Sequence, residues 1–97
     1  AAYPDWVLDF TDDALERRFG WETVARGREY AAQGRVGSIQ VSGDLVTATV
    51  RGQQYRGYQT LVVHDGSALR ATCSCPVRRD CKHAVALLIH MRNVSRR

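Results

Sequence analysis

Three cysteines and one histidine are the side chains of this sequence best suited, by type and position, to bind a metal ion. All three cysteines of the 97-residue chain fall within nine residues, and the set has the form Cys73-x-Cys75-x5-Cys81-x-His83. Structural zinc sites take four tetrahedral ligands from cysteine and histidine, and three cysteines with one histidine is an accepted set. The pattern therefore predicts one structural Zn²⁺ held by Cys73, Cys75, Cys81 and His83.

Other uses of these cysteines fit the pattern less well. An odd number of cysteines argues against a closed set of disulfides, and Cys-x-Cys differs from the Cys-x-x-Cys of thiol oxidoreductases. A catalytic zinc usually keeps three protein ligands and an open position, whereas four ligands leave no place for an activated water. We therefore expect no enzymatic activity and no small-molecule substrate. The alternative is a group of ordinary buried cysteines beside an unrelated histidine.

The other two histidines are not expected to bind this ion. His90 follows His83 by seven residues, which on a helix separates the two by about 10 Å along the axis. His64 precedes a turn and lies several residues along the predicted hairpin from the first cysteine. The sequence thus indicates a single four-ligand site.

The end of a strand and the start of a helix must position these ligands. Alternate side chains of a strand point to the same side, so the first two cysteines can converge, and Pro76 helps to end that strand. Positions two apart inside a helix point to different faces, so Cys81 must start the last helix and His83 must reach back from its first turn. Asp80 is expected to cap this helix, whose N-terminal partial charge favours thiolates.

Hydrophobic periodicity and turn residues predict an α+β fold. Thr11 is a candidate N-cap for the first helix, Gly20 is its stop signal, and Gly34 ends the second helix. Alternating apolar residues and the Asp65-Gly66 turn then indicate a four-stranded antiparallel meander. The predicted helices cover residues 12–19, 21–33 and 81–92, and the predicted strands cover residues 36–41, 45–51, 55–64 and 68–73.

One domain is expected over the whole chain, residues 1–97. It would comprise a helical segment (1–34), the β-meander (35–72) and a zinc knuckle with its helix (73–97). Gly27, inside the second helix, is expected to lie close to another backbone, and Trp21 is expected in the core. No run of about 18 apolar residues is present, so no membrane partner is expected. The missing initiator Met and the basic end suggest a fragment of a longer protein.

Basic residues are concentrated beside the predicted zinc site. The chain has a net charge of +4, but residues 1–34 carry seven acidic and four basic residues, whereas residues 66–97 carry seven basic residues and one aspartate. Such a cluster could contact nucleic-acid phosphates without recognising sequence. A solvated basic face, or a protein-docking module without nucleic-acid contact, is the alternative. The predicted nucleic-acid contacts are Arg70, Arg78, Arg79, Lys82 and Arg92.

The motif resembles a known family of small zinc-binding modules. The segments Cys73-Ser74-Cys75-Pro76 and Asp80-Cys81-Lys82-His83-Ala84 look like the SWIM zinc finger, and the stretch 26–36 is similar to the region before Swi/Snf-type motors in bacterial helicase-like proteins. The resemblance implies a structural zinc and a role in binding DNA or proteins beside such an ATPase motor, in the same or a partner chain. We expect a cytoplasmic protein, associated with the nucleoid if it binds DNA. The chain itself has no phosphate-binding Gly-x-x-x-x-Gly-Lys-[Ser/Thr] loop.

Overall fold

The computed structural model describes residues 3–53 and 56–96. It contains three α-helices and a four-stranded antiparallel sheet with strand order β1-β2-β3-β4, so the predicted α+β meander is confirmed. The predicted start of the third strand at Tyr55 lies outside the described residues. A short 3-10 helix precedes the first α-helix. The elements are 3-10 helix Asp5–Asp9, α1 Asp12–Phe19, α2 Trp21–Ala32, β1 Val36–Ser42, β2 Leu45–Arg51, β3 Gly57–His64, β4 Leu69–Cys73 and α3 Lys82–Ser95.

Local signals set the ends of the first two helices. The Thr11 side chain accepts a hydrogen bond from the Ala14 N–H at 3.2 Å, so one free N–H of the first turn of α1 is satisfied. Gly20 adopts a φ of 90°, a conformation that other residues rarely adopt, and it separates α1 from α2. This glycine lets two helices follow each other without a longer loop.

Only one face of the sheet packs against α3. Along β2 the buried residues alternate, with Val46, Ala48 and Val50 almost fully buried, as the sequence predicts for a half-buried strand. Helix α3 is buried on nearly every side from residue 83 to residue 89, because the sheet lies on one side and α2 on the other. This burial leaves little freedom for the end of α3 that carries His83.

Three features depart from the sequence expectations. The 3-10 helix Asp5–Asp9 was not predicted, and α3 continues to Ser95 rather than ending at residue 92. Trp21 was expected in the core, but its side chain is 69% exposed. Among the described residues, no helix is long and apolar enough to cross a membrane.

Candidate metal centre and nucleic-acid interface

Two elements bring the four predicted ligands together. Cys73 is the last residue of β4, Cys75 follows it in the loop, and Cys81 and His83 lie at the start of α3. All four residues are buried, and their candidate ligand atoms all lie within 4.8 Å of one another. A strand end and a helix start therefore meet at one small, enclosed cluster of three sulfurs and one imidazole.

The spacing of these atoms fits a tetrahedral zinc. With Zn–S near 2.3 Å and Zn–N near 2.0–2.1 Å, a tetrahedral site separates its sulfur and nitrogen ligands by about 3.6 Å. His83 Nδ1 lies 3.7 Å from the Cys73 sulfur and 3.6 Å from the Cys81 sulfur. The four residues thus form a site for one structural zinc, with Nδ1 as the histidine ligand atom.

Hydrogen bonds prepare the sulfurs for this role. Thr60, which pairs with Cys73 across the β3–β4 ladder, places its buried hydroxyl 3.4 Å from the Cys73 sulfur. Without metal, a hydrogen bond between the sulfurs of Cys73 and Cys81 lowers the pKa of Cys73 and raises the pKa of Cys81. This hydrogen bond favours the thiolate form of Cys73, and zinc binding must displace the proton of Cys81.

Aromatic rings enclose the histidine ligand. The ring centroids of Tyr58 and Tyr30 lie 4.8 Å and 5.6 Å from that of His83. Backbone also approaches closely, because a Cβ atom at Gly52 would lie 2.5 Å from the Tyr58 ring and 3.4 Å from His83 Nε2. Nε2 is buried and has no hydrogen-bond partner among the described residues. On its Nε2 side, packing rather than a hydrogen bond therefore holds this imidazole in place, while Nδ1 faces the sulfurs.

The loop between the two ligand pairs continues the sheet. The Cys73 N–H donates to the Arg78 carbonyl at 2.7 Å, the Asp80 N–H donates to the Ala71 carbonyl at 3.2 Å, and Thr72 pairs with Arg79 as an antiparallel bridge. Residues 78–80 thus lie alongside β4. Paired residues share a face of a sheet, so Arg79 lies on the face of Thr72, which is exposed.

Asp80 does not cap α3, so this prediction is wrong. The N-cap residue is Cys81, and it makes no side-chain capping hydrogen bond. The Asp80 carboxylate instead forms an ion pair with Arg18 at 3.0 Å, and the same guanidinium donates to the Leu69 carbonyl at 3.2 Å. Arg18 therefore ties α1 to both β4 and the zinc loop, a role that the sequence pattern does not reveal.

The predicted nucleic-acid contacts fall into three separate places. Arg70, Arg78 and Arg79 are exposed and lie along β4 and its loop. Lys82 lies elsewhere, with its ammonium 5.1 Å from the Tyr30 ring centroid. It lines a cavity of about 460 Å³ between α2 and the zinc loop, where Glu22 and Asp80 add negative charge to the positive charge of Arg26.

Arg92 has a different role from the predicted one. It is 6% exposed, and its guanidinium donates to Asp12 at 2.7 Å and to the Phe10 carbonyl at 3.1 Å. A buried, paired guanidinium cannot also reach a nucleic-acid phosphate. Arg92 is therefore removed from the candidate interface, and the correction leaves the three arginines of β4 and its loop.

The remaining histidines lie outside the four-residue cluster. His64 stacks on Trp6 with ring centroids 5.5 Å apart, and its Nδ1 accepts the Gly66 N–H at 3.0 Å. His90 lies on α3 and lines a small depression with residues of α2. Neither belongs to the group of potential metal ligands, in agreement with the sequence expectation.

Comparison with known proteins supports the zinc site. Residues 54–91 match the family model of the SWIM zinc finger, a span that includes β3, β4, the four ligands and most of α3. No curated protein and no solved structure matches the chain. The matched stretch is therefore similar to the SWIM zinc finger, and it contains the four cysteine and histidine residues of the buried cluster.

Proposed function

We propose that this protein is a non-enzymatic module that binds the phosphate backbone of nucleic acid, with a structural zinc that fixes its binding surface. The observation that carries this proposal is the state of Arg70, Arg78 and Arg79. All three are exposed along β4 and its loop, and none forms an ion pair within the described part of the chain. Unpaired, neighbouring guanidinium groups are well suited to phosphate oxygens.

The face around these arginines favours backbone contact over base recognition. Its other side chains include Thr47, Thr49 and Gln59, which share the outer side of the sheet, whereas Tyr58 faces inward against His83. Stacking of bases would need exposed aromatic rings. Phosphate contacts carry no sequence information, so the proposed binding is not sequence-specific.

We further propose an accessory role beside a Swi/Snf-type ATPase motor, in the same or a partner chain, in the bacterial cytoplasm. The support for this context is the resemblance of residues 26–36 together with the SWIM match at residues 54–91. A module that holds nucleic-acid backbone without regard to sequence would suit a motor that acts on many sites.

Fluorescence anisotropy with a labelled duplex, in DNA and RNA versions, tests the nucleic-acid proposal. Contacts to two or three phosphates predict a slope of about −1.8 to −2.7 for log affinity against log salt, or roughly 12- to 40-fold weaker binding at 200 mM than at 50 mM salt. Replacing Arg70 and Arg79 by glutamine should reduce the magnitude of that slope by about 1–2. The matched control replaces Arg17 and Arg26, which are exposed on the helices and unpaired. Absence of binding at low salt would refute the proposal.

A protein-docking function is the second candidate, because two of the four exposed large apolar residues in the described part of the chain are exposed by about two thirds. Trp21 is 69% exposed at the start of α2, and Val77 is 67% exposed in the zinc loop. Exposed tryptophan is frequent among residues that dominate protein interfaces. Contact through these residues would depend weakly on salt, and Trp21→Ala would abolish it while leaving nucleic-acid affinity unchanged.

A further inference from the structure

A shallow depression beside the zinc site combines hydroxyl groups with guanidinium groups. It is lined by Thr72, Cys73, Ser74, Arg78 and Arg79. Alternation along the strand places Thr72 and Ser74 on the outer side while Cys73 points inward to the zinc ligands. Of these residues only Cys73 is an acid. Zinc offsets two of the three thiolate charges of its site, so a net charge of about −1 remains on the buried side of the sheet.

Both hydroxyl groups can donate a hydrogen bond into the depression. The Ser74 oxygen accepts the Gln59 N–H at 2.9 Å, which positions the side chain and leaves its own O–H as a donor. Thr72 makes no side-chain hydrogen bond within the described residues and is exposed. A hydroxyl donates one hydrogen bond, so these two residues supply two donors to the depression.

The two arginines are held at the edge of the depression by the loop backbone. Arg78 has a φ of 71°, an unusual value for a residue with a side chain, and its carbonyl accepts the Cys73 N–H at 2.7 Å. Arg79 is fixed by its bridge to Thr72. Such a conformation is strained for a residue with a side chain and persists only where its surroundings impose it. Zinc ligands on both sides of the loop provide that restraint.

Within residues 3–53 and 56–96, no carboxylate competes for these donors. Asp80 is the nearest acidic residue in sequence, but it pairs with Ala71, on the buried side of β4, and its carboxylate binds Arg18 at 3.0 Å. The depression therefore has two hydroxyl donors and two unpaired guanidinium groups in its lining. A tetrahedral oxyanion has acceptors for all of them.

We propose that this depression is a seat for one backbone phosphate of the bound nucleic acid, with hydrogen bonds from Thr72 and Ser74 and charge contacts from Arg78 and Arg79. This inference rests on the proposed nucleic-acid function and deepens it, because it assigns one phosphate to defined donors rather than to a diffuse basic surface. It also makes binding depend on zinc, since zinc holds the loop that carries both arginines.

The test replaces Thr72 by valine, which keeps the side-chain shape and removes one donor without changing the charge. Loss of one hydrogen bond at an exposed position predicts about three- to tenfold weaker binding to the labelled duplex at fixed salt. The salt slope should stay unchanged in Thr72→Val, whereas Arg79→Gln should reduce it by about 1. The matched control is Thr47→Val, which removes a hydroxyl from β2 on the same face of the sheet.

The outcomes separate this proposal from the one on which it rests. If Thr72→Val binds as tightly as Thr47→Val while the double variant of Arg70 and Arg79 loses affinity, the phosphate seat is refuted and nucleic-acid binding stands. If the zinc-loaded wild type does not bind the duplex at low salt, both proposals fail. A chemical-shift change at the Thr72 amide and the Arg78 side chain on duplex addition would support the seat in the unaltered protein.

Discussion

Pairing with acidic groups separates two kinds of arginine in this molecule. Arg18, Arg28 and Arg92 form ion pairs with Asp80 or Asp12, and the first and last of them also donate to backbone carbonyls. These contacts join α1 to the zinc loop, to α2 and to α3. The arginines available to a partner are those that structural contacts leave unpaired, so total charge is a poor guide to the binding surface.

Arg92 provides the prediction at the scale of a single residue. Arg92→Met keeps the length of the side chain but removes the hydrogen bonds to Asp12 and to the Phe10 carbonyl. The Asp12 side chain is half exposed, so solvent weakens the ion pair, and we expect a loss of about 1–2 kcal/mol in the free energy of unfolding. Urea unfolding of zinc-loaded protein measures it, with Arg17→Gln as the control that should change little.

The loss of unfolding free energy in Arg92→Met is expected to become smaller at low pH. A hydrogen bond from Arg92 is the main cause that lowers the pKa of Asp12 below its ordinary 3.8. The contribution of the pair is therefore fully present above about pH 4 and is lost as pH falls through the lower folded pKa. The stability difference between wild type and Arg92→Met should narrow below that range, to the share that comes from the hydrogen bond to the Phe10 carbonyl. A stability difference that persists unchanged into strong acid would contradict the ion pair.

At the scale of elements, the contact between α2 and α3 sets the distance between the helical layer and the zinc site. Gly27 lies where the two helices approach most closely, because a Cβ atom there would lie 2.5 Å from Val85 Cγ1 and 3.1 Å from the Ala86 nitrogen. Val85 is fully buried two residues after the ligand His83. The glycine therefore lets α2 pack against the first turns of the helix that carries the metal ligands.

Gly27→Ala has two opposing effects on the stability of the fold. Alanine is the better helix former by about 1 kcal/mol, but an overlap with buried Val85 costs about 1–3 kcal/mol. We expect the overlap to dominate and the melting temperature to fall. Ala25→Gly, at an exposed position of α2, should also lower it, through helix propensity alone. A higher melting temperature for Gly27→Ala would contradict the close approach.

Much of this arrangement could be predicted because local signals and tertiary packing agree. The alternation in β2, the Thr11 cap and the close packing at Gly27 follow from periodicity, capping chemistry and the lack of a side chain. The four metal ligands follow from their types and spacing. Each of these signals depends on a few neighbouring residues, and no distant contact overrides it.

The features that could not be predicted depend on contacts between distant segments. Arg92 is buried because Asp12 and the Phe10 carbonyl, some 80 residues away, are placed against it. Asp80 faces Arg18 instead of capping α3, and Arg79 lies on the outer face because residues 78–80 pair with β4. Hydrophobic periodicity does not predict these contacts, since a charged residue near a helix end can either form an ion pair or face solvent.

At the scale of the whole molecule, α3 is the element that every other part of the core contacts. It packs against α2, the sheet and the 3-10 helix, and its first turn carries Cys81 and His83 as zinc ligands. A domain of 97 residues has a limited core, so each restraint on its central helix matters. The zinc therefore restrains the centre of the fold as well as the loop beside it.

The typical free energies of unfolding and of zinc binding indicate what happens when the metal is removed. Domains of this size are stable by about 5–15 kcal/mol, and structural zinc contributes about 10–16 kcal/mol of apparent binding free energy to the peptides that it folds. The free energy of zinc binding is thus comparable with or larger than the free energy of unfolding. Loss of zinc should therefore unfold the whole domain rather than release only residues 74–80.

Circular dichroism with and without a strong chelator checks this expectation. We expect the zinc-loaded protein to unfold cooperatively and the chelated protein to lose most of its helical signal at 25 °C, with recovery on adding zinc. His83→Ala should behave like the chelated protein, whereas His64→Ala, which alters a histidine outside the cluster, should still recover with zinc. A chelated protein that keeps its helices and its cooperative transition would show that the apolar core around α3 suffices, and that zinc orders only the loop carrying Arg78 and Arg79.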